Sequence, residues 1–308
     1  MKKAVFILFI IMVVSFTLAG ITFKVMGAAS PIPYSLVEVN EEQELTLDAV
    51  REIRLKTVEY DIHVIPVDDD RVRLHFHGKV RPKGKQSPWI ETRKRDGRLE
   101  VRIADSSNHV RLFFNQVDNK LNQTASLDVY LPQNYRGKLK TDTVSGSLQL
   151  AGIKLVELNC HSVCGDITLE RFESEQAVMD TDSGEMVLRG CAGTFNLKSV
   201  SGDIVNRSFS GQVKMKTVSG DIDTVVTNVT YLMSMETTSG DAEISLPKGA
   251  GFGLEFETVS GDYQSDIPIQ LTKTGGKRRL EGVTGNSNSG NRIEVRTISG
   301  DLRIRETD

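Results

Sequence analysis

Cysteine is scarce in this sequence: three among 308 residues, at Cys160, Cys164 and Cys191. So small and odd a number builds no disulfide framework and leaves at least one thiol over in any compartment. An excess of charge of one sign is missing too. Against 41 Asp and Glu stand 38 Lys and Arg, for a net charge of −3, so nothing electrostatic draws the chain to nucleic acid. Long apolar runs are rarer still, and only Ala4–Phe23 is long enough to span a bilayer. No other helix is expected. There is no EF-hand loop, no calcium-binding glycine–aspartate nonapeptide and no nucleophile elbow.

What is present is a repeat. From Lys140 to Asp308 the phrase Thr/Ser-Val-Ser-Gly-Asp recurs between alternating apolar runs, marked by Gly146, Gly165, Gly184, Gly202, Gly220, Gly240, Gly261 and Gly300. The spacings are 19, 19, 18, 18, 20, 21 and 39 residues, the last about two periods. Seven, five and minus two residues before each glycine lie mostly apolar side chains, such as Phe195, Leu197 and Ile204 around Gly202. Spacing by two is the strand period, so these share an inward face, while Lys198, Lys216 and Glu236 mark the wet one. A coil of this length holds two short strands and two bends, with successive coils parallel and about 4.8 Å apart. The glycine is expected at the bend for its freedom to take positive φ. The following acid is expected to bond turn amides.

The fold class is therefore an all-β parallel β-solenoid (β-helix-like) of roughly 18–21-residue coils, preceded by one N-terminal transmembrane helix. The chain divides into residues 1–27, a membrane anchor; 28–48, an acidic, Pro-containing linker; 49–135, irregular first coils and a cap; and 136–308, regular repeats. Lys2 and Lys3 before the apolar run place the N-terminus in the cytoplasm and the rest of the chain outside it, as a single-pass membrane protein. A cleaved secretory signal is the competing reading, and run length favours the anchor. The 39-residue gap holds Lys273–Asn291, expected as a long hairpin or loop in place of one coil.

Candidate chemistry is sparse. Stacking would place Asp203, Asp221, Asp241 and Asp262 in one column, where carboxylates about 5 Å apart in water repel by roughly 0.8 kcal/mol. They must lean on backbone N–H groups or recruit a cation, and oxygen ligands of this kind suit Ca²⁺. Turn formation alone is the favoured account of these acids. His75 and His77 share a strand face, but no Cys or carboxylate stands at ligand spacing beside them, which favours an exposed pair. Cys160, Cys164 and Cys191 are read as small buried residues. Lys273, Lys277, Arg278 and Arg279 form a basic cluster, read as a solvated loop. No catalytic residue and no cofactor is expected.

On its repeated Thr-Val-Ser-Gly-Asp phrase and single N-terminal apolar run, the chain resembles the LiaG-like branch of the bacterial putative-adhesin family, a domain of unknown function. The likeness covers roughly Val50 to the end. It implies a parallel β-solenoid on the outer face of a bacterial membrane, with an accessory part in the cell-envelope stress response. It brings no catalytic residues. The expected role is a non-catalytic scaffold, tethered to the cytoplasmic membrane by its N-terminal helix and meeting an unknown envelope protein or wall polymer. The rivals are a surface adhesin and a polysaccharide-acting enzyme, the latter requiring Arg278 or Arg279 to reach the turn acids.

Overall fold

Alternation with period two runs through the chain, and strands result. The computed structural model describes residues 36–82, 86–105, 124–226, 232–274, 279–285 and 291–307, and every regular element among them is a β-strand. The run Ala4–Phe23, expected as an anchor, lies outside the described residues. Among those described, no helix is long and apolar enough to cross a membrane.

The first strands are β1 (Val37–Thr46), β2 (Glu52–Lys56), β3 (Asp61–Val67), β4 (Arg71–Val80), β5 (Trp89–Arg95), β6 (Arg98–Ala104) and β7 (Ser126–Pro132). The repeats then supply strands in pairs: β8–β9 (Lys138–Asp142, Leu148–Ala151), β10–β11 (Lys154–Ser162, Ile167–Glu170) and β12–β13 (Glu173–Thr181, Met186–Arg189). After them come β14–β15 (Ala192–Ser199, Ile204–Arg207), β16–β17 (Ser210–Lys216, Ile222–Val225) and β18–β19 (Leu232–Glu236, Ala242–Pro247). Last are β20 (Phe252–Glu257), β21 (Tyr263–Ser265), β22 (Gln270–Thr274), β23 (Arg279–Thr284), β24 (Arg292–Arg296) and β25 (Leu302–Thr307).

Each pair is one rung, its first strand in a 13-stranded sheet and its second in a 12-stranded sheet. Pairing between rungs is parallel and in register, as in Phe195↔Val213 and Ile204↔Ile222. Rung order departs from chain order at both ends. β2–β3 lies between β6–β7 and β8–β9, and β24–β25 lies between β18–β19 and β20–β21. The long gap before Gly300 therefore leaves no rung missing: Gly300 sits against Gly240, and Gly261 sits against Gly300. The expected hairpin in that gap appears as β22 antiparallel to β23, with β23 antiparallel to β20.

The inward positions counted from the glycines are buried, with Leu158, Met179, Leu197, Met215 and Val295 at 3% exposure or less. Phe172 and Phe209, at the second bend, each meet Phe195 of β14 edge to face, with centroids 6.1 and 5.0 Å apart. Such pairs contribute about 0.5–1.5 kcal/mol beyond their burial. Polar side chains interrupt the apolar rows at Thr141, Asn206 and Thr224. Asn206 is fully buried between Leu188 and Thr224, and neither its Oδ1 nor its Nδ2 has a partner among the described residues.

The repeat glycines have a different reason from the one their bend position suggests. None of the eight takes positive φ. A Cβ on Gly202 would lie 1.9 Å from the Gly184 oxygen, and one on Gly220 would lie 2.2 Å from the Gly202 oxygen. Glycine is required because each turn rests on the turn below. The left-handed backbone occurs at the other bend, where Gly152 (66°), Arg171 (46°), Gly190 (63°) and Ser208 (63°) occupy equivalent places, not all of them glycine.

The acidic stretch expected as a linker is also different, because from Val37 onward it is β1, paired antiparallel with β4 over ten residues. Its inward face carries Val39 and Leu45, the first of them buried. Between them, Glu41 accepts the Ile90 amide at 2.9 Å and Gln43 donates to the Ile90 carbonyl at 3.0 Å, so the two polar residues tie β1 to β5. Glu44 pairs with Arg71 at 2.9 Å.

Gly202→Ala should destabilise the protein by about 3 kcal/mol or more through this overlap, whereas Gly253→Ala, whose nearest atom beyond the chain neighbours is 3.8 Å away, should cost about 1 kcal/mol or less. Urea unfolding of both variants checks the contrast; equal costs would show that the turns do not touch. Asn206→Leu, which keeps the branching and removes two buried polar atoms, should raise stability by about 1–2 kcal/mol in the same assay.

Candidate functional site

The turn phrase ties rung to rung with side chains as well as backbone. Its first residue is buried and closes its own turn by receiving the glycine amide: Ser199 Oγ accepts from Gly202 at 2.7 Å, and Thr237 Oγ1 accepts from Gly240 at 3.0 Å. The serine before the glycine donates its hydroxyl to a carbonyl one rung below, as from Ser219 to Val200 at 3.3 Å. The serine's own amide bonds that same carbonyl at 3.0 Å. These hydroxyls are thus structural donors and acceptors within the turn stack.

The acids complete the ladder. Asp203 Oδ1 accepts the Asp221 amide, Asp221 Oδ1 the Asp241 amide, Asp241 Oδ1 the Asp301 amide and Asp301 Oδ1 the Asp262 amide, each at 2.8 Å. The four Ca²⁺ candidates Asp203, Asp221, Asp241 and Asp262 therefore do stand in one column, with Asp301 between the last two. One oxygen of Asp203, Asp221 and Asp241 is held by backbone. The mutual repulsion of the carboxylates is met by amide donors.

Between these polar rows runs an apolar one. The second residue of the phrase points outward, leaving Val58 56%, Val200 50%, Val218 42%, Val259 55% and Ile298 52% exposed on the turn edge. Asp182 and Thr238 occupy the same column position, so the fold accepts polar side chains there.

A second cluster lies on the outer face of the 12-stranded sheet. β7 pairs antiparallel with β4 and parallel with β3, which sets Asp128 directly opposite both His75 and His63. Asp128 Oδ1 lies 2.8 Å from His63 Nδ1, and Oδ2 lies 3.0 Å from His77 Nε2. The His75 and His77 rings stack at 4.3 Å, and His75 Nε2 lies 2.7 Å from Asn40 Oδ1. Burial alone would raise the Asp128 pKa; the bonds from His77 and His63 outweigh it and hold the carboxyl below its usual range. Among the described residues, this is the group of His, Cys, Asp and Glu whose ligand atoms converge, with those of His75, His77 and Asp128 within 4.8 Å of one another. The histidine pair was legible as a shared face. Asp128 and His63 were not, because strand pairing over 50 residues brings them in, and no local spacing reports it.

The remaining candidates scatter. Arg279 bonds Glu255 at 3.0 Å and reaches Glu257 and Glu281 on the outer face of the 13-stranded sheet, so it meets no turn acid. Arg278 lies outside the described residues. An open depression of about 560 Å³ is lined by Leu47, Val50, Arg51, Tyr135, Arg136 and Lys138. Two of its cations are engaged, Lys138 with Glu157 and Arg136 with the Gln133 carbonyl.

All three thiols are free. Cys160 and Cys191 are buried, and burial pushes the Cys160 thiol up to about 12 and raises Cys191 as well. Cys164, also expected inside, is exposed because it takes the outward serine position of the phrase.

Comparison with known proteins bears first on the fold. A family model described as Toastrack DUF4097 matches residues 50–305. No curated protein matches the chain. A solved putative adhesin from Bacteroides fragilis is 13% identical, covering 87% of this chain and 97% of its own, with a TM-score of 0.46. A putative lipid binding protein from Parabacteroides distasonis is 14% identical over 87% and 97% of the two chains, with a TM-score of 0.41. A putative cell adhesion protein from Clostridium sporogenes is 14% identical over 88% and 100%, with a TM-score of 0.31. Likeness at this level bears on neither partner nor activity.

A thiol reagent should modify one cysteine in the native protein, Cys164, and all three after unfolding. Two or more reactive thiols in the native state would contradict the burial of Cys160 and Cys191.

Proposed function

Because this chain belongs to the Toastrack DUF4097 family, we propose that it acts as a non-catalytic interaction scaffold. It is tethered through residues 1–27 to the outer face of the cytoplasmic membrane, where it meets an envelope protein or wall polymer in support of the cell-envelope stress response. The observation that carries this reading is the exposed row on the turn edge. Val200, Val218, Val259 and Ile298 contribute nothing to the core, and Asp182 and Thr238 show that the position does not demand an apolar residue. Aliphatic side chains repeated in a line where polar ones would fold equally well suit a contact surface. Rungs about 4.8 Å apart make that line a rigid ruler for an extended partner. A surface adhesin would use the same row and differs in its partner alone. A polysaccharide-acting enzyme is disfavoured by the ion pairs that take Arg279 to the sheet face.

The triple variant Val200→Lys, Val218→Lys, Val259→Lys should unfold at nearly the wild-type urea concentration and lose its partner in crosslinking of intact cells. Unchanged capture would remove the row from the interface. Alkaline extraction of membranes should leave the wild-type chain in the pellet, and its release would refute the tether.

A further inference from the structure

We propose that His75, His77 and Asp128 bind one Zn²⁺ ion, with His63 as the residue that positions the carboxylate. The site stands on its own geometry and does not depend on the scaffold reading. Its donor set is two imidazoles and a carboxylate, which suits Zn²⁺ and neighbouring transition metals, whereas Ca²⁺ takes six to eight oxygens.

Spacing supports the assignment. Zn–N and Zn–O bonds of about 2.0–2.2 Å in a tetrahedron set ligand atoms roughly 3.3–3.5 Å apart. His77 Nε2 and Asp128 Oδ2 already lie 3.0 Å apart, so they need to open by only a few tenths of an ångström. All three ligand atoms lie within 4.8 Å of one another. The third must close in, and the His75 ring, half-buried and bonded to Asn40 on the edge strand β1, is the one able to swing. Asp128 is fixed from the opposite side by His63 Nδ1 at 2.8 Å on its other oxygen. A hydrogen-bonded carboxylate aimed by a neighbour is how protein metal sites orient their ligands.

The surroundings allow an ion to enter. The Asp128 side chain is 13% exposed, and those of His63 and His77 are 32% and 39% exposed, so the cluster is recessed yet open on its outer side, where water supplies the fourth ligand. Glu42 stands directly across β1 from His75, adding a second negative charge near the ion. Coordination would join β4 to β7, and through His63 to β3, in the antiparallel end of the 12-stranded sheet.

Zinc titration of the chelator-treated full chain tests the assignment. The expected result is one ion per chain and a melting temperature raised by about 5 °C when free Zn²⁺ reaches a hundredfold excess over Kd. Ca²⁺ at the same concentration should leave the melting temperature unchanged. His77→Ala and Asp128→Asn should each weaken Zn²⁺ binding at least tenfold, His63→Ala by about tenfold, and His161→Ala not at all. Co²⁺ added to the wild-type chain should give ligand-field absorption with nitrogen coordination, a readout that requires no variant to fold. No saturable Zn²⁺ uptake, equal uptake by the His75→Ala, His77→Ala double variant, or a Co²⁺ spectrum identical to that of the aqueous ion would overturn the proposal.

Discussion

The close approach of one turn to the next is the constraint on which the structure depends. The chain can place a glycine oxygen about where the next rung's Cβ would be only because that Cβ is absent, as at Gly184 and Gly202. With the turns in van der Waals contact, two further rows come into bonding range. They are the serine hydroxyl on the carbonyl below and the aspartate on the amide above, while the buried Ser/Thr receives the glycine amide of its own turn. Each row uses a side chain of the right length for one rung spacing. The repeat phrase is thus a set of inter-rung contacts written in residue types, and one rung alone could make almost none of them.

Both ends of the stack are closed in the same manner. The first coil in the chain, β2–β3, and the last, β24–β25, lie one rung in from the ends, while later or earlier segments cover them. β25, held between β19 and β21, cannot fray without parting the sheet on both sides. Beyond the outer rungs the pairing becomes antiparallel, through β4 and β1 at one end and β23 and β22 at the other. The final edges are charged, as in the Glu-rich β1 and in β5 with Arg93, Lys94 and Arg95, or short, as in the three-residue β21. Short or charged edges discourage further strands from adding.

Polar groups divide by place. Along the turn column they are consumed in holding the rungs. On the outer sheet faces they form ion pairs between strands, such as Lys214 and Lys216 on Glu236 at 2.9 and 3.1 Å, or Arg305 on Glu243 at 3.1 Å. Exposed pairs of this sort contribute little, about 0–1 kcal/mol each. The His–Asp cluster differs because one carboxylate serves two histidines from two neighbouring strands. It arises where the sheet leaves the repeat and turns antiparallel, since a regular column would have placed like residues above like.

The sequence by itself determined the coil. Its period, inward and outward faces, two strands and two bends followed from alternation and from the glycine spacing, because each is a local property that recurs. Tertiary structure decided what lies next to what. That Gly300 stacks on Gly240, that β1 is a strand tied through Glu41 and Gln43 to Ile90, and that Asp128 stands between His63 and His75 all depend on pairings between distant segments. The need for glycine was visible in the sequence, but its cause was not. Whether a residue lacks a side chain for the sake of φ or for the sake of a neighbour is settled only when the neighbour is in place.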